Sequence, residues 1–160
     1  MKRICVFSDS HGCPDNMIRV MEQENPDMVI HLGDGEGDLV PLKNRYPRTE
    51  VLNVRGNCDG RSAAPMKLVL RVEQVRLFAV HGHEYNVKID RTLTKLRYSA
   101  MEAEANVVLF GHTHKPYQDH SLAMEILNPG SIGYGARPSY GLLTVNGSKV
   151  TVELKRIDPA

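Results

Sequence analysis

The chain has 160 residues, enough for one domain (1–160) that buries a core without disulfide staples. Charged residues make up 24% and hydrophobic residues 41%, and the net charge of +1 leaves no electrostatic footprint for nucleic acid or a membrane surface. No apolar run approaches the ~20 residues of a membrane span, and no signal-peptide pattern opens the chain. Cys5, Cys13 and Cys58 are odd in number and irregularly spaced, which argues against a disulfide framework and for a cytoplasmic setting.

Ile4 to Phe7 reads as a buried strand. A turn over Ser8 to Pro14 leads into a helix with Met17, Ile18, Val20 and Met21 on its apolar face, stopped by Asn25-Pro26-Asp27. Met28 to Leu32 is a second strand, and the glycines of Gly33 to Asp38 make a loop that can approach a ligand closely. A short helix over Leu39 to Tyr46 ends at Pro47, and Val51 to Val54 is a third strand. Lys67 to Val72 and Val75 to Val80 form a pair joined near Glu73-Gln74. The stretch Asp90 to Ala105 has helical spacing, with Leu93, Leu96, Met101 and Ala105 on one side. Val107 to Phe110 is the next buried strand. Strands over Leu122 to Leu127, Tyr140 to Val145 and Val150 to Leu154 close the chain, with Asn146-Gly147 as a hairpin signal between the last two. Helices early and hairpins later imply an α/β fold of two packed mixed β-sheets flanked by helices.

Four apolar strands run directly into metal-binding residue types: Asp9-Ser10-His11, Gly33-Asp34, His81-Gly82-His83 and Gly111-His112-Thr113-His114. In α/β sheets, ligands bind beyond the carboxyl ends of strands, so one pocket rimmed by Asp and His is the economical reading. Taken singly, each motif has a structural explanation; about 0.3 His-x-His pairs are expected by chance with seven histidines, against the two present. The combination is what carries weight. Asp9, His11, Asp34, Asn57, His81, His112 and His114 all lie at the same end of apolar strands. Imidazole, carboxylate and amide oxygen without thiolate suit Mn, Fe, Zn or a similar divalent ion. Seven ligands exceed one tetrahedral shell, which implies two ions, with Asp34 as the natural bridge.

Asp9-x-His11, Gly33-Asp34, Gly56-Asn57-x-Asp59, His81 and Gly111-His112-x-His114 resemble the ordered signature of the calcineurin-like metallophosphoesterases, most closely the compact YfcE-like phosphodiesterase branch. The resemblance runs from residue 4 to about residue 135. It implies a four-layer αββα sandwich and a binuclear phosphodiesterase acting on a small phosphodiester. Asp9, His11 and His114 would hold the first ion and Asn57, His81 and His112 the second, with Asp34 between them and a bridging hydroxide attacking phosphorus. Mn²⁺ is the expected metal, with Ni²⁺, Fe²⁺ or Zn²⁺ as alternatives. The candidate catalytic residues are Asn57, Asp59 and His83. His83 would touch the substrate phosphate, and Asp59 would orient groups near the site or cap a turn.

One departure matters. Where many members of the family carry His after the motif Asn, this chain has Cys58. A thiol is a poor proton donor to an alkoxide, so diesters and good leaving groups are favoured; a buried spacer is the structural alternative for Cys58. His31 reads as a hydrogen-bonded core histidine and His120 as a solvated residue in a polar loop. Arg55 and Arg61 flank the Asn57 loop, and Asn128-Pro129-Gly130-Ser131 packs beside the metal loops. Apolar residues near Pro65-Met66 and in the C-terminal strands would allow a homo-oligomer. The competing function is a non-catalytic protein-binding scaffold on the same fold, as in the retromer subunit Vps29; the complete ligand set favours the enzyme.

Overall fold

The computed structural model describes residues 1–121, 124–133 and 137–157, with Ser121 described for its backbone alone. Two five-stranded sheets face each other. The first has the order β10-β9-β1-β2-β3, with β1 (Lys2–Phe7), β2 (Met28–His31), β3 (Glu50–Asn53), β9 (Ser139–Asn146) and β10 (Lys149–Arg156). The second runs β4-β5-β6-β8-β7, with β4 (Lys67–Val72), β5 (Val75–Val80), β6 (Val107–Leu109), β7 (Tyr117–Ser121) and β8 (Met124–Asn128). Both are mixed. β1, β2 and β3 are parallel neighbours, as are β5, β6 and β8, while β4–β5, β7–β8 and β9–β10 are antiparallel hairpins and β9 runs antiparallel to β1.

Side-chain alternation explains why the central strands read as unbroken apolar runs. Ile4 and Val6 point between the sheets with Ile30, Leu77, Ala79, Leu109 and Leu143. Cys5 and Phe7 point outward, beneath α1 (Asp15–Glu24) and α2 (Leu39–Arg45), against Met17, Val20, Met21 and Leu42. On the other outer face, Phe78, Val80, Val108 and Phe110 meet Leu96 and Ala100 of α3 (Thr94–Glu102). The result is the expected layering, helix on sheet on sheet on helix. Parallel strands need crossovers, and α1 supplies the one between β1 and β2. That helix ends at Asn25, whose left-handed backbone (φ 46°) caps it and whose N–H bonds Met21 O, just before Pro26.

Four details differ from the sequence reading. α3 is shorter than 90–105, because the Asp90 carboxylate accepts the Thr92 and Thr94 N–H groups and holds the chain in turns first. Met101 is 60% exposed, not core. It follows Leu96 by five residues, about 140° around the helix, whereas Ala100 follows by four and stays on the buried face. β7, Tyr-Gln-Asp-His-Ser, was not expected to be a strand; it is a polar edge strand paired only with β8, and it carries His120, exposed beside Glu125. The strand expected from residue 122 is described from Met124 onward, with 122–123 outside the described residues. The last hairpin turns on Gly147-Ser148, one residue later than the Asn146-Gly147 signal, with Gly147 at φ 65°.

Leu109 is fully buried between the sheets. Leu109→Ala should cost about 2–5 kcal/mol, read as a lower urea midpoint at unchanged slope. A loss below about 1 kcal/mol would contradict a continuous inter-sheet core.

Candidate metal centre

The carboxyl ends of β1, β2, β3, β5 and β6 deliver their loops to one edge of the sandwich, where the backbones tie together. Asp9 N–H bonds Gly33 O at 3.0 Å, His11 N–H bonds Asp34 O at 3.0 Å, and Gly111 N–H bonds His81 O at 2.8 Å. The Asn128–Ser131 turn packs beside them as expected: Ser131 Oγ donates to Asp9 O, and Asn128 Nδ2 donates to Gly111 O and Thr113 Oγ1.

Asp9, His11, Asp34, His112 and His114 all have left-handed backbones, with φ between 45° and 71°. Each such non-glycine residue costs on the order of 1–3 kcal/mol, and clustering of this strain marks functional sites. Its effect here is to turn the residue after each strand inward. Glycine is required where loops touch: a Cβ on Gly111 would sit 2.0 Å from Ser8 Oγ, and one on Gly56 would sit 2.1 Å from Asp34 Oδ1.

Two groups of side chains result. In the first, Asp9 Oδ1 lies 3.2 Å from His114 Nε2 and 3.5 Å from His11 Nε2, and the two imidazole nitrogens are 3.2 Å apart. In the second, His81 Nε2 lies 3.2 Å from Asp34 Oδ2, 3.0 Å from Asn57 Oδ1 and 3.2 Å from His112 Nδ1. The groups meet, with His11 Nε2 at 3.8 Å from Asp34 Oδ2 and His81 Nε2 at 3.9 Å from Asp9 Oδ1. Asp9 Oδ1 is buried and accepts no hydrogen bond among the described residues, while Oδ2 is held by the Ser8 hydroxyl and His112 N–H. An orphaned carboxylate oxygen facing convergent imidazole nitrogens fits a divalent cation in charge and donor type. Asp9/His11/His114 and Asp34/His81/His112 each place one ligand atom per residue within 4.8 Å of the others.

Protonation follows the same geometry. Burial opposes ionisation of Asp34, but His81 and the Cys58 N–H, 2.7 Å from Oδ1, more than offset it and hold the carboxyl well below its usual range. His112, desolvated and next to His81, has its pKa pushed down to about 4, so it is neutral near pH 7 with one ring nitrogen free to act as a ligand. Burial works against charging His81 as well, yet Asp34 and Asp9 raise its pKa. The Leu32 carbonyl, 2.7 Å from His81 Nδ1, can only accept, so Nδ1 carries a proton and Nε2 faces the site.

His83 stands beside the second group, its ring 5.3 Å from that of His81, with Nδ1 buried and without a hydrogen-bond partner among the described residues. Burial and the neighbouring His81 lower its pKa. Asp59 spends both carboxylate oxygens on the backbone, accepting N–H bonds from Asp34, Gly35, Glu36 and Gly56 at 2.8–3.2 Å. Cys58 is exposed, which overturns the buried-spacer reading; its N–H is bound to Asp34, and its Sγ groups with His11 and Asp34 at the mouth of the site. Desolvation and then the Asp34 charge push its thiol pKa up. His31 is the core histidine expected, bonded to Ser10 Oγ and Gly33 N–H, with burial lowering its pKa to about 4. Arg55 turns to Met66 Sδ and the Ser62 carbonyl instead of the site. Ser8, whose hydroxyl holds Asp9 Oδ2, has no signal in the sequence, because it acts through a contact that only the folded loop creates.

Residues 1–148 match the calcineurin-like phosphoesterase superfamily domain. The chain belongs to the calcineurin-like phosphoesterase superfamily. Similar metallophosphoesterases include the probable metallophosphoesterase YsnB of Bacillus subtilis, 31% identical, covering 93% of this chain and 88% of that one. Phosphodiesterase YfcE of Escherichia coli K12 is 30% identical over 89% and 88%. Among solved structures, a predicted phosphoesterase from Streptococcus pneumoniae TIGR4 superposes with a TM-score of 0.79 at 30% identity, over 97% of this chain and 89% of that one. Vps29 of Entamoeba histolytica, complexed with Zn²⁺, reaches 0.76 at 21% identity over 98% of both chains, which shows a shared fold. This phosphoesterase therefore carries a metal-dependent hydrolase's scaffold, with Asp and His groups able to bind metal at its strand ends.

The Asp59 clasp makes a testable point about this phosphoesterase. Burial opposes the charge of Asp59 while the four N–H groups favour it, and the N–H groups win, so its pKa is depressed. Its stabilisation is present above the unfolded value of about 4 and lost as pH falls through the lower folded value. Asp59→Asn should therefore destabilise the metal-free protein more at pH 7 than at pH 3. It should also weaken divalent-metal binding about 10- to 100-fold by calorimetry. Equal destabilisation at both pH values would contradict the charged clasp.

Proposed function

We propose that the chain is a binuclear phosphodiesterase. The observation that supports it most is the doubled ligand set: two Asp/His groups meet across Asp34, assembled by five strained residues. Asp9, His11 and His114 would hold one ion; Asn57, His81 and His112 the other; Asp34 lies between them. Mn²⁺ is our first choice, with Ni²⁺, Fe²⁺ or Zn²⁺ able to replace it. Bound there, the ions would lower the pKa of water and offset the charge that develops on the phosphoryl oxygens.

The remaining chemistry falls to side chains. A water oxygen adds to phosphorus, the P–O bond to the leaving group breaks, and diester plus water gives monoester plus alcohol. His83, neutral and at the edge of the second group, contacts a phosphoryl oxygen of the substrate. Asp59 is a positioning residue, acting through the Asp34 loop. Cys58, at the mouth of the site, cannot supply an imidazolium's charge to the leaving oxygen. Diesters with good leaving groups are therefore the favoured substrates, and monoesters poor ones. We take the enzyme to be cytoplasmic, in keeping with its unpaired cysteines. The scaffold alternative gains its case from the Vps29 fold, but it gives no reason to hold two buried carboxylates among imidazoles in strained backbone.

The test is hydrolysis of bis-p-nitrophenyl phosphate by chelator-treated protein before and after Mn²⁺ is restored, with metal counted per chain. Turnover should return with Mn²⁺ at two ions per chain. In Asp34→Ala it should fall by ~10²-fold or more, beyond the 10–100-fold typical of outer contacts. One ion per chain, or no turnover with any divalent ion, would sink the binuclear reading. Cys58→His should raise the rate on a monoester several-fold; no gain on any monoester would count against the role given to this position.

A further inference from the structure

A cleft of about 680 Å³ adjoins the His112–His114 loop, inside the ~300–1,000 Å³ range of small-ligand sites. Thr113, which separates the two histidines, lines it, and the Lys88 ammonium is within electrostatic reach of His112. Part of the lining is apolar and aromatic: Phe110 is buried, Pro116 follows, and the Tyr117 ring lies 6.3 Å from that of Phe110 with a face left to solvent. The rest is cationic. Lys88, Arg91 and Lys115 all line the cleft and are all exposed.

Those cations have no ion-pair partner among the described residues. Arg3, Arg45, Arg97 and Lys155 elsewhere each face a carboxylate. Asp90, the carboxylate that lines the cleft, is already engaged with the N–H groups of Thr92 and Thr94. The protein's charge is close to neutral overall, so three unpaired cations at one cleft are a local feature. An apolar ligand would not need them, and a bare anion would not need the aromatic wall.

Resting on the phosphodiesterase reading above, we propose that this cleft receives the organic side of the substrate. The substrate class is then a nucleotide-type phosphodiester carrying an aromatic ring and a second phosphate. The ring lies against Tyr117, and the second phosphate meets Lys88, Arg91 and Lys115, as charge-assisted recognition of phosphate requires. The scissile phosphate stays beside His112.

The test compares kcat/KM for the p-nitrophenyl ester of thymidine 5′-phosphate with that for the same ester bearing an added 3′-phosphate. The wild-type protein, loaded with Mn²⁺, should favour the 3′-phosphorylated ester about tenfold, in line with a few charge-assisted contacts. In a K88A/R91A/K115A variant that ratio should fall to within twofold of unity. A second readout needs no turnover: by calorimetry, the metal-loaded wild type should bind adenosine 3′,5′-bisphosphate more tightly than adenosine 5′-monophosphate, and the triple variant should lose that margin. Hydrolysis of both esters without a 3′-phosphate preference, or a preference kept by the variant, overturns the cleft assignment and leaves the phosphodiesterase standing. If no ester is hydrolysed, the phosphodiesterase reading fails, and the calorimetric margin alone decides whether the cleft binds a second phosphate.

Discussion

Two carboxylates, Asp9 and Asp34, are almost completely buried at one edge of this sandwich, and everything around them answers to that fact. A buried carboxylate is costly unless it is paired and hydrogen-bonded. Asp34 is supported by the Cys58 N–H and the His81 ring, and Asp9 by the Ser8 hydroxyl and the His112 N–H. One Asp9 oxygen is left over, pointing at imidazoles. The protein thus satisfies its buried charge on the side facing the core and leaves the other side for a cation.

Holding that arrangement falls to the sheets. Five inward-turning residues sit in left-handed backbone, and none could persist on a mobile loop, since the strain must be over-determined by its surroundings. Each is within five residues of the end of a strand that contributes side chains to the buried core between the sheets. The Asn128–Ser131 turn and the Asp59 carboxylate then fix the loops to one another from the outside. Core packing and site geometry are one structural problem here.

Much of this could be read from the residues alone. The buried strands were visible because parallel strands covered on both faces are continuous apolar runs, and Asp9, Asp34, His81 and His112 were visible because they interrupt such runs at one end. The same rule hid β7, whose one-sided edge position leaves Tyr117-Gln118-Asp119-His120 polar. Met101 was misplaced because a helix with modest periodicity admits two apolar faces, and only contact with Phe78 and Val108 chooses Leu96 and Ala100. Asp59 offered two roles because an aspartate after Gly-Asn suits a local turn. Its actual partners, the N–H groups of residues 34 to 36, are 23 to 25 positions away and come into range only when β2 and β3 pair.

The cleft beside the metal centre belongs to the same logic. The loops after β5 and β6 must diverge once they have delivered His81 and His112, because their strands are neighbours and their next residues lead to different elements. Between them they leave a gap lined by the outer-face residue Phe110 and by Lys88, Arg91 and Lys115, which have no ion-pair partner among the described residues. A fold that needs anionic side chains at its ion site cannot use them freely nearby, since each added carboxylate would compete for the cations or repel a phosphate. Lysine and arginine on the approach, with the one lining carboxylate, Asp90, engaged by backbone N–H groups, is the charge arrangement under which a phosphoester can enter and still meet a cation at the end of its path.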